Sequence, residues 1–310
     1  MSRVLLTGAG GFVGSSALRA LLRDGYEVHA VSSRVRREEP GVVWHLADLH
    51  AQDSAEELLG RVRPELLLHL AWYAEHGRFW RSVENVRWVE STLRLMRAFA
   101  RHEGRRAVLA GTCAEYEWSP EGGVLCEAAT PLRPATLYGV SKDATRAVAQ
   151  ALAEETELEL AWGRIFFPYG PGEPRARLLP SVACALLAGV PAPVSEGSQV
   201  RDFVHVEDVA EAFVALLGSD VRGAVNVGSG EGVTVRAAVE LVGAATGRAD
   251  LVRFGALESR PGEPAALIAD VGRLREEVGF ESRISLEDGV AATVAWWREA
   301  LSDPSATGGG

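Results

Sequence analysis

Leu5-Leu6-Thr7-Gly8-Ala9-Gly10-Gly11-Phe12-Val13-Gly14 joins an apolar run to a helix-like pattern through a turn almost without side chains. Three of its glycines, Gly8, Gly11 and Gly14, fall three apart. Such a turn lets a pyrophosphate lie against backbone N–H groups at a helix N-terminus, where the helix dipole favours negative charge. The spacing is T-G-x-x-G-x-x-G, not the G-x-G-x-x-G of the common dinucleotide fingerprint.

Working outward from this turn, strand-like runs at 4–6, 28–31, 42–46, 66–70, 107–110 and 158–165 alternate with helical patterns at 13–23, 81–102 and 137–155. Residues 66–70 are continuously apolar, as a buried parallel strand requires. The rhythm predicts an α/β fold, a Rossmann-type doubly wound parallel sheet. It breaks after Phe167, where Pro and Gly cluster over 168–174 as a loop. Helical patterns at 175–188, 206–217, 234–246 and 286–301 then mix with short strands near 203–205 and 225–227. The expected organisation is a dinucleotide-binding domain over 1–166 with later returns near 200–230. A smaller, discontinuous C-terminal α/β substrate lobe takes 167–302, and a disordered tail 303–310.

The formal net charge of −10 argues against a general nucleic-acid surface, and the 310 residues contain no apolar run of membrane-spanning length. A strand begins at the N-terminus with no secretory signal before it, and the three cysteines, Cys113, Cys126 and Cys184, have neither disulfide nor metal spacing. A reduced, cytoplasmic protein without a metal site is expected.

Tyr138 and Lys142 stand four apart near the start of a helical stretch, so both side chains share one face. A free phenol has a pKa of roughly 10 and is a poor acid or base at neutral pH. A nearby ammonium, with the positive ring of an oxidised nicotinamide, favours the phenolate, and the pair can then exchange a proton with an alcohol or sugar oxygen. The alternative is a surface Tyr and Lys on a helix. Thr112 follows the fifth strand, at the sheet edge where ligands collect in open α/β folds. Its hydroxyl either hydrogen-bonds a reacting oxygen or caps a turn.

Taken jointly, Thr7-Gly-x-x-Gly-x-x-Gly14, Asp48-Leu49, His69-Leu-Ala71, Thr112 and Tyr138-x-x-x-Lys142 resemble the extended short-chain dehydrogenases/reductases, the nucleotide-sugar epimerase/dehydratase/reductase family. Arg164-Ile-Phe-Phe-Pro-Tyr-Gly-Pro-Gly172, Arg201-Asp-Phe-Val-His-Val-Glu-Asp-Val-Ala210, Asn226-Val-Gly-Ser-Gly230 and Arg260-Pro-Gly-Glu263 extend the likeness over about residues 3–280. The resemblance implies Thr112, Tyr138 and Lys142 as the catalytic set. It implies cofactor contacts from Gly8, Gly11, Phe12, Val13, Gly14, Ser32, Ser33, Arg34, Asp48, Leu49, Leu70, Ala71 and Trp72 as well as from Tyr138 and Lys142, with Asp48 at the adenine. Arg201 and Arg260 would clamp a substrate diphosphate, and Phe167 takes the place of a substrate-contacting asparagine. His205 reads as structural and Asp208 as a helix cap. A homodimer through a bundle containing 81–102 and 137–155 is also implied.

Departures from the family pattern narrow the activity. The second strand ends Val31-Ser32-Ser33-Arg34, without the acid that accepts from a ribose 2′-hydroxyl, and Arg34 is placed for a 2′-phosphate. NADP(H) is therefore favoured over NAD(H), unless Arg34, Arg36 and Arg37 are a solvated basic loop. Cys113 and Ala114 stand where a sugar dehydratase carries its general acid and base. Glu115, on a strand-like backbone, would face away. Ala114 and Gly172 stand where a double epimerase carries Cys and His. What remains is hydride chemistry at one sugar carbon. Gly-Thr-Cys-x-Glu-Tyr resembles the 4-ketoreductases of deoxysugar pathways, which implies NADPH-dependent reduction of the C4 ketone of a nucleotide-linked 4-keto-6-deoxyhexose. The alternatives are a 4-epimerase that retains its NAD and a non-catalytic nucleotide sensor. The aromatic segment 72–80 either lines the sugar site or covers the core.

Overall fold

The computed structural model describes residues 2–36, 38–259 and 262–302. The expected tail at 303–310 and the candidate Arg260 lie outside the described residues. In chain order the first half contains β1 (Arg3–Thr7), α1 (Phe12–Arg23), β2 (Glu27–Ser32), β3 (Val42–Leu46), α2 (Ser54–Val62), β4 (Leu66–His69), α3 (Glu84–Arg101), β5 (Arg106–Thr112), β6 (Gly123–Leu125), α4 (Leu137–Glu155) and β7 (Glu159–Ile165). The second half continues with β8 (Phe167–Tyr169), α5 (Leu178–Leu187), β9 (Ala192–Pro193), β10 (Val200–Arg201), β11 (Phe203–His205), α6 (Val206–Gly218), β12 (Gly223–Val227), β13 (Val233–Thr234), α7 (Val235–Thr246), β14 (Val252–Arg253), β15 (Ala266–Ala269), α8 (Gly272–Glu276) and α9 (Leu286–Ser302).

Seven strands form one sheet in the order β12-β7-β5-β4-β1-β2-β3, with every neighbouring pair parallel. The order reverses between β1 and β4, and the carboxyl ends of these two strands open the crevice where an open α/β sheet binds its ligand. α1 and α6 pack against one face, whose core includes Leu6, Leu18, Leu21, Phe213 and Leu217. The other face packs against α2, α3 and α4 through Leu58, Leu59, Leu95, Phe99 and Ala149. Both faces are therefore covered, which is why β4 and β5 are apolar on both sides. α2 occupies a stretch that the sequence rhythm leaves unassigned. It buries Ala55, Leu58, Leu59 and Val62, an i, i+3, i+4, i+7 stripe.

A second core, built from α5, α7 and α9, holds Leu179, Leu186, Val239, Val242, Val290 and Val294. A four-stranded sheet, β13-β10-β15-β6, and the short pairs β11-β8 and β14-β9 lie beyond the main sheet. β8 begins at Phe167, so part of the expected loop is paired strand. The chain returns to the main sheet through β12, beside β7.

A buried polar network ties β5, β7 and β12 together. Glu115 is fully buried and forms an ion pair with Arg164 of β7 at 2.7 Å. Its other oxygen accepts from Trp162 Nε1 and from the Thr112 N–H, both at 2.9 Å. Arg164 also donates to the Tyr116 hydroxyl, which donates in turn to Asn226 Oδ1 of β12. Glu115 lies in a 3-10 turn, Cys113–Glu115, not on a continuing strand, and its side chain points into this network. That corrects the strand parity expected for it; the helical turn rotates it toward β7. A Cβ at Gly111 would lie 2.0 Å from Trp162 Nε1 and 2.7 Å from Glu115 Oε1, so only glycine permits the approach.

Removing one partner of a buried ion pair strands the other charge. Glu115→Ala is expected to destabilise the chain by about 3–5 kcal/mol, read as a lower urea midpoint with an unchanged slope. A variant within experimental error of the native midpoint would show that the pair contributes nothing net.

Candidate active site

The catalytic candidates meet where β5 ends. Thr112 terminates that strand and caps the 3-10 turn, its Oγ1 accepting from the Ala114 N–H at 3.2 Å. Thr136 caps α4 by accepting from the Gly139 N–H, which starts the helix one residue before Tyr138. A Cβ at Gly139 would come within 2.3 Å of the Ala114 carbonyl oxygen, so the glycine lets α4 close onto the turn. The Tyr138 hydroxyl is thereby brought beside the Thr112 side chain.

Burial pushes the Tyr138 phenol well above its ordinary value, although the Thr112 side chain acts in the other direction. The nearby Cys113 and Glu115 raise it further. The chain alone therefore holds Tyr138 as the neutral phenol, not as the phenolate expected from its lysine neighbour. The lysine is directed elsewhere. Lys142 Nζ donates to the Ala110 carbonyl of β5 at 2.7 Å and lies 3.8 Å from the Trp72 ring centroid. Burial lowers its ammonium to about 7, against the opposing pull of Glu115.

A cleft of about 250 Å³ opens at the glycine turn, bounded by Gly8, Gly10, Gly11, Ser32, Ser33, Asp48, Leu49 and Ala71 among others. Phe12, Val13 and Gly14 begin α1 immediately after the turn, with Gly11 as its N-cap. Leu70 and Trp72 follow β4; the Leu70 N–H donates to the Thr7 carbonyl, and Ala71 donates to the Thr7 hydroxyl. The turn fits a dinucleotide by what its glycines lack. A Cβ at Gly8 would sit 2.7 Å from the Ala71 nitrogen, and one at Gly14 only 1.9 Å from the Gly8 carbonyl oxygen. Arg36, rather than Arg34, borders this cleft. Its guanidinium lies so close over Gly10 that a Cβ there would come within 1.8 Å of it. Ser32 Oγ accepts from both the Arg34 N–H and Arg36 Nε, so the serine at the end of β2 aims the loop.

A larger cleft, about 450 Å³, is bounded by Phe167, Arg201, Glu173, Arg177 and His76 among others. Arg201 lies 5.5 Å from the Phe167 ring centroid and is ion-paired with Glu263 at 2.8 Å, while its other nitrogen donates to the carbonyls of Val200 and Pro264. Two expectations from the neighbouring motif change. His205, not Asp208, caps α6, its Nδ1 accepting from the Glu207 N–H at 3.3 Å. Asp208 is buried one turn in and accepts from Ser282 Oγ and the N–H groups of Arg283 and Ile284. Asp208 already lies inside the helix, so its carboxylate reaches a loop instead of the free N–H groups. Cys113 is an inert packing thiol, pushed up to about 12 by burial.

Sequence reasoning named Arg36 only as part of a basic loop, and it missed Glu173 and Arg177. Glu173 and Arg177 stand at i, i+4 and form an ion pair at 3.0 Å, a spacing that was readable. Glu173 is nearly fully buried, its Oε2 has no hydrogen-bond partner, and burial raises its carboxyl from 4.5 to about 7. Between these values the folded chain keeps a proton that the unfolded chain has released, so stability falls as pH rises through the window. Glu173→Gln should abolish that slope and gain on the order of 2 kcal/mol relative to the native chain by neutral pH. Thermal melts across about pH 4.5–7 check this; parallel curves for the two proteins would refute it.

Known proteins resemble the chain in both sequence and fold. The model of the NAD dependent epimerase/dehydratase family matches residues 4–228. The chain is 28% identical to the dTDP-glucose 4,6-dehydratase of Streptomyces niveus, over 99% of this chain and 98% of that protein. It is 29% identical to the UDP-glucose 4-epimerase of Corynebacterium glutamicum, over 94% and 96% respectively. The solved structure of MoeE5 in complex with UDP-glucuronic acid and NAD superposes with a TM-score of 0.84 at 30% identity, covering 96% of this chain and all of the other. With the glycine turn, the seven-stranded parallel sheet and a family match over most of its length, the chain belongs to the NAD dependent epimerase/dehydratase family.

Proposed function

We propose that the protein reduces the C4 ketone of a nucleotide-linked 4-keto-6-deoxyhexose, with NADPH as the electron donor. The observation that carries this reading is the meeting of Tyr138, Thr112 and Lys142 at the end of β5, the tyrosine brought there by the close approach of α4 to the 3-10 turn. A ketone reductase needs a proton donor at the nascent alkoxide, and burial keeps this phenol protonated. Tyr138 donates its proton to the C4 oxygen, Thr112 hydrogen-bonds the same oxygen, and Lys142 supplies positive charge behind them. A reduced nicotinamide dinucleotide, held at the glycine turn by Gly8, Gly11, Ser32, Ser33, Asp48 and Ala71, supplies the hydride when bound. The substrate's nucleotide end is assigned to the cleft containing Phe167 and Arg201, with Arg260 as a further phosphate ligand.

Elimination of water is disfavoured by Glu115. The one carboxylate just after Thr112 is committed to Arg164, Trp162 and the backbone. A proton abstraction beside the ketone therefore lacks a base there. Preference for NADPH is supported by the serines at the end of β2 and by the Arg36 guanidinium over the turn, a fork suited to a 2′-phosphate. A homodimer is supported by the adjacent packing of α3 and α4, which leaves Val86, Val140 and Val148 exposed. A second reading, a 4-epimerase that retains NAD, is favoured by the NAD in the MoeE5 complex and by the epimerase among the relatives.

Mixing the protein with dTDP-4-keto-6-deoxyglucose and NADPH should oxidise the cofactor stoichiometrically, followed by loss of nicotinamide absorbance. Tyr138→Phe should lower kcat by about 10²–10⁴-fold while leaving dinucleotide binding intact. No net oxidation, with NAD co-purifying and UDP-hexoses interconverting, would establish the epimerase instead. Arg36→Ala should raise the KM for NADPH by about tenfold, the loss of one charge-assisted contact, and leave that for NADH unchanged. An equal effect on both would remove Arg36 from 2′-phosphate recognition.

A further inference from the structure

Among the 32 lysines and arginines of the chain, Lys142 is the only lysine. Everywhere else a cation is wanted, the sequence uses arginine. The one compact ammonium lies buried at the end of β5, on a flexible four-carbon stem that must be held to be useful. Its hydrogen bond to the Ala110 carbonyl fixes one direction. The other is fixed by an aromatic face: Nζ is 3.8 Å from the Trp72 ring centroid, well within the range at which a ring quadrupole attracts a cation.

Trp72 is itself held. Its Nε1–H donates to Asn85 Oδ1 at 2.8 Å, and its ring stacks on Trp88 with centroids 6.1 Å apart. Asn85 is completely buried, and its amide nitrogen donates to the carbonyls of Phe79 and Ser82 at 2.6 and 2.9 Å. Both amide hydrogens are therefore spent on carbonyls, so the oxygen must face the indole, and the amide has one orientation. The same segment also reaches Tyr138. The Phe79 and Trp80 rings pack edge-on against its phenol, and the Trp80 carbonyl accepts from the Tyr138 N–H.

We propose that Trp72 is the positioning residue for Lys142, its indole face, anchored by Asn85, holding the ammonium at the end of β5. The role in turnover rests on the reading of Lys142 as the active-site cation; the contact itself does not. On this proposal the aromatic segment 72–80 serves the lysine and the tyrosine of the candidate site. The asparagine one turn before Trp88 has a function of its own, which is to orient the indole.

The solitary lysine makes the test direct. Full-length protein grown with [13Cε]lysine has a single Hε–Cε cross-peak that needs no assignment. In the native protein this peak should lie upfield of free lysine through the indole ring current. It should stay upfield in Trp72→Phe and return to the free position in Trp72→Leu. Dinucleotide affinity, measured by calorimetry, should fall about tenfold in Trp72→Leu and recover in Trp72→Phe, the loss expected for a desolvated cation–π contact. The kcat should fall likewise, with the KM for the nucleotide sugar unchanged. A native cross-peak at the free position overturns the proposal. So does a Trp72→Leu variant whose affinity and kcat match the native values. If no nucleotide sugar is turned over but the peak is shifted and affinity follows the ring, the functional reading fails and the positioning role stands. Should Trp72→Leu fail to fold, the native shift and the Trp72→Phe affinity still decide.

Discussion

The site depends on one buried ion pair. Glu115 and Arg164 face each other inside the protein at 2.7 Å, and neither is solvated. Two charges taken out of water stay charged only if nearly every polar atom around them is satisfied. Here Thr112, Trp162, Tyr116 and Asn226 supply those bonds, and in doing so they join three strands of the sheet. The Thr112 backbone is one member of that set. Thr112 is thus held from behind by the buried carboxylate that accepts its N–H.

The same constraint decides what chemistry the end of β5 can carry. A glutamate placed just after Thr112 looks like a candidate base, but three donors and a buried ion pair already hold it. A thiol beside it is buried and kept protonated. What remains at the end of β5 is a phenol and a hydroxyl. Two glycines make this geometry possible. Gly111 admits the glutamate and Gly139 admits α4, and a methyl group at either would collide with backbone or a fixed side chain. Tyr138 and Thr112 are close because a side chain is missing beside each.

Much of the fold was legible in the sequence. The turn at Gly8, Gly11 and Gly14 is readable because close backbone approach leaves a compositional trace. The apolar strands are readable because both faces of the sheet are covered. α2 went unassigned, although its apolar stripe and the acidic residues of its first turn, Glu56 and Glu57, stand in the sequence, because nine residues are too short to impose a helical rhythm on their own. The site was legible only in part. Tyr138 and Lys142 announce themselves by spacing, but the direction in which Tyr138 titrates depends on burial that no local pattern carries. Arg34 and Arg36 differ only in the path of a loop, and that path is set by Ser32. Asp208 and His205 both suit a helix start, and only the backbone at 205, extended before the first turn, selects the histidine. The pairing of Trp72 with Lys142 spans 70 positions in sequence and leaves no local signature.

The solitary amine of Lys142 has a practical consequence. Because it is buried beneath an indole, reagents that seek primary amines, such as succinimidyl esters or aldehyde fixatives, will find no open lysine side chain in these 310 residues. A reagent that does reach the interior amine reports that the aromatic cover has opened.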